Sequence, residues 1–211
     1  MVLPKQLQGN LMPSEVNFLG ENELVTILPR YSMKKMQLIG TKIPALRAMR
    51  REQVPLWVAL ILKSQDKCSI VPPKWLNVVY LKDKYDEEVR NPNQFSSLPW
   101  HWLEISKILL ARAADDLTDP SHQLRSILQD LREIRLVKSR KGLKELNESN
   151  IVLNGLSLLE INELRPFVLT VMNKLRQLHD TNNEQTAADT NGNDSDGMAD
   201  DDDYDDEGAY V

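Results

Sequence analysis

Cysteine, histidine and glycine are scarce in this chain of 211 residues, which contains one Cys, three His and eight Gly. A single cysteine, Cys68, excludes an internal disulfide framework and a cysteine-cluster metal site, and it fits a reducing compartment inside the cell. The three histidines lie far apart, and none has a partner at metal-binding spacing. The scattered glycines form neither a Walker motif nor a dinucleotide-binding motif. The sequence therefore predicts no metal site, no cofactor site and no catalytic site.

Long apolar runs are also missing. The longest one, residues 54–62, is under half of the ~20 residues that a membrane helix needs. The first part of the chain is broken by Pro4, Pro13 and several acidic residues, so it does not resemble a secretory signal peptide. These absences predict a soluble chain without a membrane partner, and nothing in the sequence suggests a small-molecule substrate.

Positive charge is missing from the C-terminal segment. Residues 180–211 contain twelve Asp and Glu but no Lys or Arg, and they carry almost nothing apolar. Such a segment buries too little surface to fold, so we expect a disordered acidic tail. The net charge of the whole chain is −5, but residues 1–179 are basic, because they contain 19 of the 31 acidic residues and all 26 basic ones. Three roles stay open for the tail: a docking peptide, a histone-like mimic of DNA and a solubilising end.

Two short runs near the N-terminus have the composition of β-strands. Residues 24–28 are rich in β-branched side chains and end at Pro29, and residues 36–39 are followed by a glycine. Residues 41–53 are interrupted by basic side chains and are predicted to form a loop. A small β-rich domain is therefore expected over residues 1–52, and it must pack on other structure because two strands alone are marginal.

Helical periodicity begins after this point, and an α-helical domain is expected over residues 53–179. Pro55 suits the first turn of a helix that is apolar on every face. Residues 98–117 carry two apolar stripes, so this helix needs neighbours on two sides. The predicted fold is mainly α, with a small N-terminal β-rich domain, an α-helical domain and a disordered acidic C-terminal tail over residues 180–211.

Capping patterns mark two further helices. Asp119 before Pro120 predicts an N-cap and a helix ~33 Å long. Ser157, with Glu160 three residues later, has the pattern of a capping box at the start of the last helix. Pro166 is expected to divide that last helix into a short and a longer part.

A cluster of basic residues lies at the end of the long predicted helix. It could contact DNA phosphates, act as a nuclear import signal or complement the helix dipole, and a solvated basic helix end is the simplest interpretation. This basic cluster consists of Arg132, Arg135, Lys138, Arg140, Lys141 and Lys144.

The four tryptophans fall within 46 residues of one another. Packing in the core explains them, and anchoring of an interface is the alternative. They are Trp57, Trp75, Trp100 and Trp102.

Four separated blocks of the sequence are similar to one known family. They read ELVTILP at residues 23–29, VPLWVAL at 54–60, KCSIVPPKWL at 67–76 and NGLSLLEIN at 154–162. These blocks resemble subunits of the GINS complex of eukaryotic DNA replication, of the type called Psf-two. DLREIR at 130–135 and KGLKELNES at 141–149 resemble the fungal branch in particular. The resemblance extends over residues 14–180 in the same order, and four blocks make coincidence improbable.

The resemblance implies a nuclear, non-catalytic subunit of a heterotetramer formed with three other GINS subunits, each with a helical and a β-rich domain. In that family the tetramer joins the MCM hexamer and the Cdc forty-five protein in the replicative DNA helicase. It acts there as scaffold and activator in initiation and elongation, without hydrolysing ATP, and contact with DNA would be indirect or weak. Residues expected in the core or at subunit interfaces are Trp57, Cys68, Pro72, Pro73, Trp75, Trp102, Leu158, Glu160 and Asn162.

Two other functions compete with this one. A stand-alone DNA-binding protein would use the basic cluster, and its affinity would fall steeply with salt. A hydrolase or redox enzyme would use Cys68 as a thiolate and would lose its activity on Cys68→Ala.

Overall fold

The computed structural model describes the backbone of residues 9–144 and 154–191, and the side chains of residues 9–143 and 154–181. The chain divides into two compact units, Met1–Leu169 and Thr170–Val211. The helices are α1 (Pro13–Glu21), α2 (Leu56–Ser64), α3 (Val78–Arg90), α4 (Trp102–Arg112), α5 (Ser121–Lys144) and α6 (Leu158–Asn191), and a 3-10 turn spans Ala114–Asp116. The strands are β1 (Leu24–Pro29), β2 (Met36–Leu38), β3 (Thr41–Ile43), β4 (Glu52–Pro55) and β5 (Cys68–Val71). Within the described ranges, no helix is both long and apolar enough to span a membrane.

Strand β1 is the centre of a three-stranded antiparallel sheet with the order β4-β1-β5. Ile27 pairs with Glu52 on one side and with Ile70 on the other. Alternate residues of β1, among them Val25 and Ile27, are buried. This alternation is typical of a strand that packs one face on a core.

The sheet extends beyond residue 52, where the β-rich domain was predicted to end. Strand β4 starts at Glu52, and β5 follows only after the apolar helix α2. Strand β5 has four residues, in which buried and partly buried side chains alternate only twice. Four residues are too few for a strand pattern to be recognised in the sequence. The predicted boundary therefore falls inside the sheet.

The predicted loop over residues 41–53 was wrong at both ends, which form β3 and the start of β4, whereas residues 44–51 lie outside the named strands. Strands β2 and β3 form a separate two-stranded hairpin in which Met36 pairs with Ile43. Gly40, with a φ of +79°, makes the turn between them. Lys42 lies on the outer face of β3 while Ile43 is buried, whereas Arg47, Arg50 and Arg51 lie in the connection between β3 and β4.

One hydrophobic core joins the sheet to the helices of the first unit. Ile27 from the sheet, Leu56 from α2, Trp102 and Leu109 from α4, and Leu124 from α5 are all fully buried in it. Helix α4 buries residues on two faces, as its two apolar stripes predicted, although it ends at Arg112 and the 3-10 turn follows.

Neither of the two predicted helix caps forms as the sequence suggested. Asp119 accepts a hydrogen bond at 2.8 Å from the backbone N–H of Val78, the first residue of α3. It therefore supports the N-cap of α3, Asn77, which accepts from the N–H of Val79. Only half of the predicted capping box forms, because the backbone N–H of Ser157 donates to Glu160 at 2.7 Å, whereas the Ser157 hydroxyl has no partner among the described residues.

Pro166 does not divide the last helix, since α6 runs without interruption from Leu158 to Asn191. A proline inside a helix removes one backbone hydrogen bond and can bend the helix without ending it. The helix also continues beyond residue 180, where the acidic tail was predicted to begin. Residues 192–211 lie outside the described part of the chain.

Candidate interaction surfaces

The predicted basic cluster is not one exposed surface, because Arg135 at its centre is fully buried. Its guanidinium lies between Glu88 of α3, at 2.6 Å, and Glu160 of α6, at 2.7 and 2.9 Å. The pair with Glu160 is bidentate, which is the strong geometry for an arginine and a carboxylate. Arg135 therefore ties three helices together.

All five N–H groups of Arg135 have acceptors. Two N–H groups donate to Glu160 and one to Glu88, and the remaining two donate to the backbone carbonyls of Ser96 and Gly155, at 3.3 and 2.6 Å. A guanidinium offers five donors in a fixed plane, so the site uses its full capacity. The ring of Phe95 lies 5.0 Å from the guanidinium carbon and covers one face of it.

Lys138 lies one turn further along α5 and joins Arg135, Glu88 and Glu160 in a group of four charged residues, here called the ion cluster. Its ammonium group donates to the second oxygen of Glu88 and to the carbonyls of Asn91 and Gln94. Burial alone would raise the pKa of the Glu88 carboxyl. Hydrogen bonds from Lys138 and Ser96 and the charge of Arg135 outweigh that effect and hold this pKa below its ordinary value.

The other members of the basic cluster are dispersed. Arg132 pairs with Glu163 at 2.7 Å on the surface, and Arg140 and Lys141 are exposed. The side chain of Lys144 lies outside the described residues. The predicted contact patch is therefore corrected, because its two central residues neutralise buried glutamates. Glu88 is 47 positions from Arg135 in the sequence, and no local pattern signals such a pair.

Burial sorts the predicted core or interface residues into two groups. Cys68, Trp102, Glu160 and Asn162 are buried, whereas Trp57, Pro72, Pro73, Trp75 and Leu158 are partly exposed. Asn162 binds both backbone groups of Leu11, accepting from its N–H at 2.8 Å and donating to its carbonyl at 3.0 Å. This amide therefore fixes the N-terminal segment against α6.

The thiol of Cys68 is buried, and its Sγ lies 3.6 Å from the carbonyl oxygen of Ala59. Burial and the nearby charge of Asp116 raise the pKa of this thiol to about 11. A thiol with such a pKa is almost entirely protonated near neutral pH, and this state is poorly nucleophilic. In the described ranges, no group of three or more His, Cys, Asp or Glu is placed to hold a metal ion.

A polar pair lies buried between α1 and α4. Glu104 is only 2% exposed, and neither of its carboxylate oxygens forms a hydrogen bond with another described residue. The nearest charge partner is His101, whose Nδ1 is 3.9 Å from Glu104 Oε1. Burial, together with the charge of Glu160, raises the pKa of this carboxyl, although His101 and Lys107 act in the opposite direction.

An apolar groove lies between α1 and α2. Phe18 of α1 and Ile61 of α2 are 66% and 49% exposed, and both line the groove together with Trp57. The groove has a volume of about 750 Å³, and Arg112 and Glu21 give it a charged rim. Exposed large apolar side chains that meet in a concave site are typical of interaction surfaces. Trp57 was predicted as a core or interface residue, but Phe18 and Ile61 were missed, because composition does not separate the exposed from the buried apolar residues of a short helix.

Family models and curated relatives agree on what the chain resembles. A model described as the PSF2 N-terminal domain matches residues 12–71, and one described as the GINS complex protein helical bundle domain matches residues 75–179. A protein of Debaryomyces hansenii named DNA replication complex GINS protein PSF2 is 76% identical over 196 residues, which cover 93% of this chain and 95% of that relative. This chain belongs to the PSF2 family of GINS proteins. Relatives with the same name are 78% identical in Candida albicans, over 88% of this chain and 92% of the relative. In Saccharomyces cerevisiae the identity is 48%, over 85% of this chain and 92% of the relative.

The two matched segments of this PSF2-family chain meet at a natural boundary of the fold. The first ends at Val71, the last residue of β5, and the second begins at Trp75, just before α3. The N-terminal segment therefore contains all three strands of the β4-β1-β5 sheet together with α2. The second contains the ion cluster around Arg135.

Proposed function

We propose that this chain is a non-catalytic subunit of a heterotetrameric GINS complex in the nucleus. In this proposal it joins three other GINS subunits, and the tetramer acts as scaffold and activator between the MCM hexamer and the Cdc forty-five protein in the replicative DNA helicase. It would serve both initiation and elongation of DNA replication. The observation that carries the proposal is the match of both segments to the PSF2 and GINS helical bundle models, together with relatives named as DNA replication complex GINS proteins.

The apolar groove supports a subunit role, and we assign it to contact with another GINS subunit. Fully burying a Phe or Ile side chain stabilises by about 1.5–3 kcal/mol, and the exposed parts of Phe18 and Ile61 gain their share of that energy only in a complex. Trp57 at the same groove is the type of large aromatic that anchors interfaces. This role makes Trp57 an interface residue, whereas Trp102 and Cys68 belong to the core.

The state of Cys68 supports the non-catalytic part of the proposal. A hydrolase or redox enzyme would need this thiol as an accessible thiolate, but the thiol is buried and its pKa is raised to about 11. Burial of Arg135 and Lys138 likewise weighs against a stand-alone DNA-binding protein that uses the basic cluster.

A tagged pull-down from nuclear extract tests the proposal. We expect three other small subunits at equal stoichiometry, with MCM proteins and the Cdc forty-five protein in smaller amounts. The double change Phe18→Ser and Ile61→Ser should release at least one of the three subunits. Recovery of the wild-type chain alone would contradict the proposal.

The matched control is the double change Val79→Ser and Val89→Ser. These two residues of α3 are also exposed and apolar but do not line the groove. This control variant should keep all three subunits, and an equal loss in both variants would mean that the groove is not the contact.

A further inference from the structure

The segment of residues 30–51, here called the basic arm, has charge of one sign only. It contains seven Lys and Arg and no Asp or Glu, and all seven basic side chains are exposed. They are Arg30, Lys34, Lys35, Lys42, Arg47, Arg50 and Arg51. The single ion pair that any of them makes with the described residues joins Arg50 to Glu52 at 3.4 Å. Self-repulsion among so many unpaired cations is relieved when an anionic partner lies against them.

The basic arm is an ordered piece of structure. The β2–β3 hairpin at its centre is prolonged by a bridge between Met33 and Leu46, whose backbone hydrogen bonds measure 2.8 and 3.0 Å. Ile43 and Leu46 anchor the arm in the core, since both are only 1% exposed. The exposed cations are therefore held on a fixed support.

Apolar side chains lie among these cations. Ile39 at the tip of the hairpin is completely exposed, and Tyr31 and Met49 are 64% and 73% exposed. Met49 has a φ of +58°, a region that residues other than glycine seldom occupy, and its N–H donates to the Pro29 carbonyl at 2.9 Å. Backbone that is held in such a conformation is concentrated at functional sites.

The hairpin also offers unpaired strand edges. The sheet of β2 and β3 has two strands, so each strand has an outer edge with no neighbouring strand in the described part of the chain. Lysine on an edge strand often serves to prevent unwanted pairing, and Lys42 alone would achieve that. Seven cations without one acidic residue exceed what such protection requires. An extended peptide can add to an exposed edge through its main chain while its side chains meet the cations.

We propose that the basic arm binds an extended acidic segment of a partner protein that carries apolar side chains between its acidic residues. Its carboxylates pair with the arm cations, and its apolar side chains cover Ile39, Tyr31 and Met49. A DNA backbone would match the cations but would offer no partner to these three apolar side chains. No residue of the arm lines the groove at Phe18 and Ile61, so this inference does not depend on the proposed assembly.

The test uses the full-length chain, purified together with whatever chains remain attached to it. Fluorescence anisotropy measures binding of three labelled probes: a 12-residue peptide of alternating Asp and Val, one of alternating Asp and Ser, and a 20-nucleotide single-stranded DNA. We expect the Asp-Val peptide to bind most tightly. The triple reversal Lys34→Glu, Lys35→Glu and Arg47→Glu should weaken its binding by about tenfold, because each exposed charge pair contributes a fraction of the energy that makes a tenfold change.

Two further variants separate charge from apolar contact. The control reversal Lys107→Glu, Arg140→Glu and Lys141→Glu changes the net charge equally at exposed sites elsewhere, and it should weaken the Asp-Val peptide less than twofold. Ile39→Ser combined with Met49→Ser should weaken the Asp-Val peptide and leave the Asp-Ser peptide unchanged.

Three results would overturn the inference: equal loss in both charge reversals, tighter binding of the DNA than of either peptide, or no binding of any probe. Failure of the proposed function is seen separately, as the absence of attached chains in the same wild-type preparation.

Discussion

A buried arginine is stable only when its charge is balanced and each of its N–H groups has an acceptor. Arg135 meets both conditions through Glu88, Glu160 and two backbone carbonyls. Its neighbour Arg132, one turn earlier, makes a single surface pair with Glu163. In the sequence the two arginines belong to the same basic cluster, so their difference arises entirely from the tertiary structure.

Removing Arg135 should therefore cost far more stability than removing Arg132. Arg135→Ala leaves Glu160 buried without its ion pair and leaves Glu88 with Lys138 as its remaining cation, and loss of one member of a buried ion pair costs about 3–5 kcal/mol. Arg132→Ala, the matched control, breaks an exposed pair and should cost under ~1 kcal/mol. Urea unfolding of the full chain measures both values, and equal costs would show that the cluster does not stabilise the fold.

Glu88 and Glu104 are both buried, and they should make the free energy of unfolding depend on pH in opposite directions. The folded-state pKa of Glu88 is below its ordinary value of 4.5, so its contribution is present above pH 4.5 and is lost as the pH falls through the folded-state pKa. The folded-state pKa of Glu104 is above 4.5, so its carboxylate destabilises the fold increasingly as the pH rises from 4.5 to that folded-state pKa.

The two changes to glutamine remove these effects. Glu88→Gln should lower the free energy of unfolding near neutral pH, with a difference from wild type that shrinks in acid. Glu104→Gln should raise the free energy of unfolding near neutral pH, and its difference should likewise shrink in acid. Urea unfolding from pH 2 to pH 8 measures both, and a Glu104→Gln protein that is less stable than wild type at neutral pH would show that this carboxylate has a partner.

Three glycines in the helices and turns differ in backbone conformation and in crowding. Comparing their substitutions separates the cost of a positive φ from the cost of steric overlap. Gly155, with a φ of +82°, precedes α6, and a Cβ there would lie 2.9 Å from the Cβ of Phe95. Gly40, with a φ of +79°, makes the β2–β3 turn, and a Cβ there would meet nothing within 4 Å. Gly142 lies in α5 and is equally uncrowded.

Substitution of each glycine by alanine should follow this order. Gly155→Ala should destabilise by about 2–4 kcal/mol, because strain and steric overlap combine. Gly40→Ala should cost about 1–2 kcal/mol from strain alone, and Gly142→Ala should stabilise by about 0.5–1 kcal/mol because alanine favours a helix. Thermal unfolding of the three proteins gives the ranking, and a Gly40→Ala cost as large as that of Gly155→Ala would contradict the role of Phe95.

The sequence predicted those elements whose signals are local. Strands β1 and β2 and the start of α5 after Pro120 were found from β-branched runs and start signals. Strand β5 was missed because its four residues follow a helix with the same apolar composition. Asp119 was assigned to the wrong helix, since its hydrogen bond to Val78 spans 41 positions. The same holds for the residues of the candidate groove. Trp57 was predicted because it is a tryptophan, whereas Phe18 and Ile61 could be told apart from buried apolar residues only once their exposure was known.

At the scale of the whole molecule, the exposed apolar residues and the family membership agree. The core joins the sheet and the helices of the first unit, yet Phe18 and Ile61 stay outside it and meet at one groove with Trp57. A chain that belongs to a family of GINS proteins and shows such a groove is best explained as one member of an assembly.

Native mass spectrometry of the affinity-purified assembly counts the chains that it contains. We expect one species with a single copy of this chain and single copies of three other chains, and we expect the Phe18→Ser and Ile61→Ser protein to form smaller species. A purified wild-type chain that is a monomer or an assembly of identical copies would show that it is not a subunit of such a heterotetramer.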